Sequence, residues 1–345
     1  MIKYLGSKRT LIPALTLLGQ ASGAKTALDL FTGTTRVAQA FKKLGMTVTA
    51  SDVASYSECF GKTWIELDST EVDHAKLEEA IAELNALPGE AGYFTEKFCI
   101  EARYFQPKNG EKVDAMRRHI ELEYRDSWLY YPLLTSLILA ADRVDSTTGV
   151  QMAFLKGWAS RSANDLALRD PELLPGKGFS VRGDALEIAK VLPHVDLAYL
   201  DPPYNQHRYF SNYHIWESLV RWDKPDTYGI ANKRIDARDS ANKSPFNSRK
   251  TNLASLEKVI GDVNCEVLML SYNNESWLDR DLLIDICSSK GHVELIDIDF
   301  RRYIGSTIGV YNKKGEKVGT PAHKRNLEHL VIAGPRQTVQ RMIQA

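Results

Sequence analysis

Asp201-Pro202-Pro203-Tyr204 follows the apolar run Leu197-Ala198-Tyr199-Leu200, which reads as a buried strand. A carboxylate, two prolines and an aromatic ring at the end of a strand suit chemistry on an exocyclic amino nitrogen of a nucleobase. Such a nitrogen is a weak nucleophile because its lone pair is delocalised into the ring. Two acceptors on its hydrogens favour a more tetrahedral nitrogen and free that lone pair. Asp201 can supply one acceptor, and a backbone carbonyl held rigid by Pro202-Pro203 can supply the other. Tyr204 is placed to stack on the base. The methyl donor must sit in line with the nitrogen, so positioning is the main catalytic device. An Asp-Pro-Pro turn alone also serves as a plain strand cap, so its meaning depends on what precedes it.

What precedes it is a cofactor-type unit. Residues 27–31 (ALDLF) are a short apolar run ending in a Thr-Gly turn, and VAQAFKKLG follows. Val37, Ala38, Phe41 and Leu44 fall on one helical face, with Gly45 as a stop. MTVTASD (46–52) alternates as a second strand and ends in Asp52. This is a β-α-β unit, and ligands of such sheets bind at the carboxyl ends of the strands. Asp29 and Phe31 sit at the first strand's end, Gly33 allows close backbone approach, and Asp52 is placed to take ribose hydroxyls. GxGxxG is missing, which disfavours a dinucleotide; S-adenosylmethionine has no pyrophosphate and needs no such cradle.

Five further stretches read as strands or strand-helix units: FSVRGDALEIAKVL (179–192), VDLAYL (195–200), EVLMLSYNN (266–274), GHVELIDIDFRRY (291–303) and KRNLEHLVIAGP (324–335). The expected fold is an open α/β sheet. Its catalytic body comprises residues 1–56 and 179–345, interrupted by a mainly helical insert at 57–178. Residues 221–255 are polar and irregular.

Composition sets bounds. The 345 residues are 43% hydrophobic and 26% charged, with 44 basic and 44 acidic side chains, so net charge gives no support for nucleic-acid binding. Residues 301–345 are nonetheless basic, and a local basic face can meet phosphates. No run of about 18 apolar residues indicates a membrane span. The start MIKYLGSKRT is not a secretory signal. Cys59, Cys99, Cys265 and Cys287 are scattered singly, which suits a reducing cytoplasm, and no cysteine or histidine spacing suggests a metal.

DLFTG, SD, GD and DPPY in that order, preceded by Lys3-Tyr4-Leu5-Gly6-Ser7-Lys8, resemble the Dam-like (class alpha) amino-methyltransferases of DNA. The resemblance spans nearly the whole chain. DPPYN followed by NYHIWES, then LSYNNE and RRY, is similar to a bacterial subgroup of adenine-specific methylases. The resemblance implies a Rossmann-like class I methyltransferase sheet, with the insert as target-recognition region. It implies S-adenosylmethionine as cofactor, double-stranded DNA as substrate, and a possible cognate restriction endonuclease. Lys3, Tyr4, Gly6 and Lys8 would approach the methionine end of the cofactor. Phe31 and Gly33 would line its pocket, Asp52 would hold the ribose, and Asp184 would contact the adenine amino group. Asp201, Pro202, Pro203 and Tyr204 would be catalytic. Thr35 stands where many relatives have a second glycine, which puts the packing of that turn in question.

Weaker signals remain. Tyr209, Tyr213, His214 and Trp216 follow the motif and could wall a base pocket, or be core. Ser271-Tyr272-Asn273 ends a strand at the same sheet edge. Arg234, Arg238, Lys243, Arg249 and Lys250 lie in a polar loop that could meet phosphates. Arg301, Arg302, Lys313, Lys314 and Lys317 flank an expected hairpin, YNKKGEK, that could enter a groove or follow the backbone. The expected activity is methylation of the 6-amino group of adenine in DNA. The rivals are the 4-amino group of cytosine, RNA or a protein glutamine, and a catalytically silent DNA-binding module. A monomer is expected.

Overall fold

The computed structural model describes residues 1–345 apart from 7, 275, 302–309, 312–316 and 320–324; at 241, 300, 301, 310, 311, 317–319, 325 and 326 it describes the backbone alone. Seven strands form one sheet: β1 (Thr26–Asp29), β2 (Thr47–Asp52), β3 (Gly178–Arg182), β4 (Val195–Leu200), β5 (Cys265–Asn273), β6 (His292–Arg301) and β7 (Arg325–Gly334). Their spatial order is β3-β2-β1-β4-β5-β7-β6. β1 to β5 run parallel. β7 is antiparallel to both β5 and β6. The sequence order reverses between β1 and β4. That switch point is where an open α/β sheet leaves a crevice for a ligand. Asp29 ends one of these two strands, and Asp201 follows the other.

Near-continuous apolar runs make the central strands because both faces are covered. Leu197 and Tyr199 of β4, with Val267 and Met269 of β5, face one apolar cluster. Ala198, Leu200, Leu268 and Leu270 face a second cluster. The helices are α1 (Ile12–Ser22), α2 (Arg36–Lys43), α3 (Ser55–Gly61), α4 (His74–Ala86), α5 (Pro107–Glu123), α6 (Tyr130–Val144), α7 (Ala185–Val191), α8 (His214–Arg221), α9 (Asn252–Asp262), α10 (Arg280–Cys287) and α11 (Arg336–Ile343). α7, α9 and α10 cover the second face. α1, α2, α11 and the insert cover the first. On α2 the expected face is buried through Val37, Ala38 and Phe41, and Gly45 follows with φ of 83°.

The insert is not helical throughout, and it is not separate from the sheet. It is helical only as far as Val144. Residues 145–177 carry one short 3-10 turn (Ser160–Ala163) and an isolated bridge, Thr147 to Phe154. Pro171, Pro175 and scattered glycines and serines leave that stretch no helical period. Nor does the insert have a core of its own: Leu133, Leu134, Leu137 and Ile138 of α6 share the cluster that holds Leu197. A π-helical turn at Lys62–Glu66 starts it. Lys42 donates to the carbonyls of Trp64, Ile65 and Leu67 at 3.0, 3.0 and 2.6 Å, satisfying groups that the end of a helix leaves without partners. The C-terminal α11 was not legible in the sequence, because only Val339 and Met342 mark its buried face.

Candidate active site

A cavity of about 430 Å³ opens at the carboxyl ends of β1 to β4. Tyr4, Gly6, Lys8, Asp29, Phe31, Gly33, Asp52, Asp184, Asp201, Pro203 and Tyr209 all line it. Chain topology therefore brings together residues from six separate segments that were singled out for their chemistry.

On the β1–β3 side, carboxylates are held by backbone. Asp52 accepts from Gly33 N at 2.9 Å and from Ala54 N at 3.0 Å. Burial raises its pKa, and those two N–H groups pull it back. Asp29 is 1% exposed and accepts from Thr32 Oγ1 (2.8 Å) and Ala38 N (3.1 Å), both through Oδ2. Its Oδ1 is buried without a hydrogen-bond partner. Burial pushes this carboxyl up to about 7 against those two donors, and the charges of Asp201 and Asp52 add to the rise. Gly33 has φ of 50°, and a Cβ there would come within 3.1 Å of the Tyr4 ring. A glycine is needed both for the turn and for that approach. Phe31 meets Phe246 edge-on at 5.2 Å, so the segment around Pro245–Asn247 closes this wall. Asp184 caps α7 through Leu186 N and remains exposed at the cavity edge.

The Asp201 loop is fixed from behind. Asn252 is 1% exposed and donates to the carbonyls of Pro203 (3.3 Å) and Phe246 (2.8 Å), while its Oδ1 accepts from Tyr272. Asn247 donates to the carbonyls of Asn205 and His207. On the other side the N-terminal segment is clamped by rings. Tyr4 stacks on Tyr213 at 4.6 Å and on Tyr209 at 5.4 Å, and Leu5 N donates to the Tyr213 hydroxyl. That clamp delivers Lys8, whose ammonium lies 2.9 Å from Asp201 Oδ1 and 2.7 Å from Glu328 Oε1. Burial alone would lower the Lys8 pKa, but the two carboxylates hold it well above its usual value. Burial raises Asp201 to about 6; Lys8 opposes that shift and Glu328 adds to it.

Some expected site residues lie elsewhere. Lys3 does not line the cavity; its ammonium pairs with Asp142 (2.8 Å) and Asp145 (3.3 Å) at the end of α6. Two acidic residues closing that helix outcompete an open pocket for a cation. Tyr213 and Tyr272 are 1% and 0% exposed and back the walls rather than line them. Pro202 is buried under the loop. Tyr204 stands outside the lining, its ring 5.8 Å from Tyr272. His214 and Trp216 are core. Arg234, expected in a phosphate-facing loop, is 1% exposed and tied to Asp223 and Asp236 at 2.6 and 2.8 Å. Arg302, Lys313 and Lys314 lie outside the described residues, and of Arg301 and Lys317 only the backbone is described. The strands of the expected hairpin do pair, Val310–Tyr311 against Lys317–Gly319.

Three residues at the site were not foreseen. Glu328 is a carboxylate on the same side of its strand as buried Leu330 and Ile332, an odd choice for a core position and the one sequence clue to it. Glu217 of α8, 3% exposed, lines the cavity and accepts from Ser55 N at 3.0 Å. Asn252 had no signal beyond being the first residue of a helix. Among the described residues, no cluster of metal ligands and no helix long and apolar enough to cross a membrane occurs.

Comparison with known proteins agrees with this geometry. The profile of the D12 class N6 adenine-specific DNA methyltransferases matches residues 4–281. The modification methylase StsI of Streptococcus sanguinis is 32% identical over 324 residues, covering 88% of this chain and 49% of that one. The type II methyltransferase M.NlaIII of Neisseria lactamica is 30% identical over 341 residues, covering 94% and 96%. The chain thus spans about half of StsI and nearly all of M.NlaIII. A solved putative SAM-dependent methyltransferase from Streptococcus mutans is a distant likeness, with a TM-score of 0.35, 11% identity, and 96% and 50% coverage. The chain belongs to the D12 class N6 adenine-specific DNA methyltransferase family.

Proposed function

We propose that this protein transfers a methyl group from S-adenosylmethionine to the 6-amino nitrogen of adenine in DNA, as the modification half of a restriction-modification system. The observation that carries the reading is the single cavity at the switch point, which Asp29 and Asp52 line from one side and Asp201 from the other. The residues present suit the cofactor. Asp52 lines the cavity, and each of its oxygens spends one lone pair on a backbone N–H and keeps another for a ribose hydroxyl. The partnerless buried Oδ1 of Asp29 suits an ammonium such as that of a methionine moiety. The Gly33 turn leaves room beside Tyr4 that a side chain would fill. When bound, S-adenosylmethionine supplies a methyl group on a sulfonium, whose C–S bond breaks as the new C–N bond forms.

The protein's own part is orientation. Asp201 accepts one hydrogen of the amino group and the carbonyl of Pro202 the other; the carbonyl of Pro203 is already held by Asn252. Tyr204, just outside the lining with its ring 5.8 Å from Tyr272, is the ring on which the base stacks. One amino proton must leave as the C–N bond completes, and Asp201 is the nearest base. A base within a duplex cannot reach this cavity, so it is flipped out of the stack. Residues 57–178 form the target-recognition region together with the segment after Tyr204. The docking of the two supports this: Gln151 N donates to Asn212 O at 2.8 Å, and Asn232 Nδ2 to Lys97 O at 2.8 Å.

The test is mass spectrometry of nucleosides from plasmid DNA incubated with the protein and S-adenosylmethionine. A 6-methyladenine peak is expected. A 4-methylcytosine peak would keep the mechanism and change the base; no modified base would sink the reading.

A further inference from the structure

We infer that Glu328 is a positioning residue for the methyl transfer: by sharing the Lys8 ammonium with Asp201, it leaves Asp201 a strong enough acceptor to orient the amino group. The inference rests on the proposed role of Asp201.

Lys8 is 8% exposed and lies between two carboxylates, Asp201 Oδ1 at 2.9 Å and Glu328 Oε1 at 2.7 Å. Paired with Asp201 alone, a buried ammonium would take up most of that carboxylate's capacity as an acceptor. A second carboxylate draws the ammonium the other way. The cluster then carries two acids against one base, and that net negative charge favours the positive charge that develops on the amino nitrogen. Glu328 is 2% exposed and built to stay. Its Oε1 also accepts from Ser271 Oγ, and its Oε2 lies 3.4 Å from Asn273 Nδ2. Both donors come from β5, which pairs directly with β7. A carboxylate placed on a core-facing strand position is costly unless it is paired and bonded. Here the pairing leads straight to the catalytic loop.

The geometry predicts the effect on pH dependence. The groups facing Asp201 are Lys8 from the N-terminal segment, Glu328 from β7, Asp29 from β1, Tyr199 from β4, and Tyr204 and Tyr209 after the motif. Asp201 must be ionised to accept, so turnover falls as pH drops through its pKa, raised to about 6. Glu328 contributes to that rise, so removing its charge moves the acid limb to lower pH while weakening the transfer itself.

The experiment is the pH profile of kcat for wild type, Glu328→Asp and Glu328→Gln, with the cofactor Kd and the melting point alongside. In Glu328→Gln the acid limb should move down by about one pH unit, the scale of one charge at this range. Its plateau should fall about tenfold, with KM for DNA little changed, as for one weakened charge-assisted bond. Glu328→Asp draws its charge back from Lys8 and should fall between, the limb moving part of the way. Should the Gln variant not fold, the Asp variant decides alone. Rate loss with an unmoved acid limb means a merely structural role and overturns the inference. Asp201→Ala, which removes the acceptor, separates the two readings. An inactive Asp201→Ala with an unmoved limb in the Glu328 variants sinks only the role of Glu328, and an active Asp201→Ala sinks both.

Discussion

The carboxylates on the two sides of the switch point are held by different chemistry. On the β1–β2 side, Asp29 and Asp52 are fixed by backbone N–H groups and a threonine hydroxyl, and among the described residues neither forms an ion pair. On the β4–β7 side, Asp201 and Glu328 share an ammonium, and further along the chain Asp223 and Asp236 share the Arg234 guanidinium. A backbone donor fixes a carboxylate's position without cancelling its charge, which suits a group that must accept hydroxyls or an ammonium from a ligand. A cation fixes position and also sets how strongly the carboxylate accepts, which suits a group that acts on a reacting atom. Under the proposed function, the cofactor side is therefore built for shape, and the target side for charge.

The largest effects should break the charge side. Asp201→Ala should lower kcat at least about a thousandfold, as the loss of an essential transition-state contact does. Its cofactor Kd, measured by calorimetry, should stay close to wild type, since backbone-held groups carry that binding. An Asp201→Ala enzyme with ordinary turnover would end the catalytic assignment. Arg234→Met comes next. It removes one of the two cations that Asp223 and Asp236 share, the other being Arg221 at 3.0 and 3.2 Å, so the midpoint of urea unfolding should drop by an amount worth about 1–3 kcal/mol. A midpoint within error of wild type would mean that the guanidinium is not an internal tie and is available to phosphates after all.

The same division explains what could be read in the sequence. Asp29, Gly33, Asp52 and Asp201 lie next to strands whose apolar runs announce them, so their type, order and place in the sheet were all visible. Lys3 and Lys8 show the limit. They are five residues apart in one motif, yet one pairs with Asp142 and Asp145 of the insert and the other with Asp201 and Glu328. Which acid a lysine finds depends on contacts across more than a hundred residues of chain, and local periodicity carries none of that. Arg234 fails in the same way: a polar stretch reads as a solvated loop until Asp223 folds back over it. The last part of the insert is a different case. Residues 145–177 have neither a helical nor a strand period, and their path is set by distant side chains: Asn109 bonds Leu166 N, Asn85 bonds Leu168 N, Ser136 bonds Arg169 N, and Gln151 bonds Asn212 and Ile215.

On the shape side the effects should be smaller and fall on binding and stability. Asp52→Ala should raise the cofactor Kd about 10- to 100-fold, the value of one or two hydrogen bonds to a charged group, with kcat at saturating cofactor nearly kept. A kcat loss as large as that of Asp201→Ala would erase the distinction between the sides. Asp29→Asn should act through pH. The folded chain holds this carboxyl at about 7, above its ordinary 3.8, so the wild-type carboxyl favours the fold at low pH and gives up that stability as pH rises through about 7. The Asn variant does not titrate. Its melting point relative to wild type should therefore rise between pH 5 and pH 8, by about 2–4 °C. A constant offset across that range would show that Asp29 is ionised throughout.

The smallest test concerns the turn itself. Thr35 has φ of 59°, a left-handed conformation that a β-branched residue rarely takes, and its side chain is fully buried. Its hydroxyl donates to Thr34 O at 2.7 Å and accepts from Gln39 Nε2 at 2.9 Å, which helps to hold the strain. Thr35→Gly and Thr35→Ala both lose those bonds and the methyl group, and they differ in whether the left-handed backbone is still strained. Glycine is normally the less stable of the two because of its freedom in the unfolded chain. Here it should be the more stable by about 1 kcal/mol. Both variants should bind cofactor like wild type, since Gly33 N and the Asp52 carboxylate stay in place. If alanine proves as stable as glycine, the turn relaxes at little cost, and the rigidity of the cofactor side must come from Gly33 and the Tyr4 ring stacked over it rather than from the backbone at Thr35.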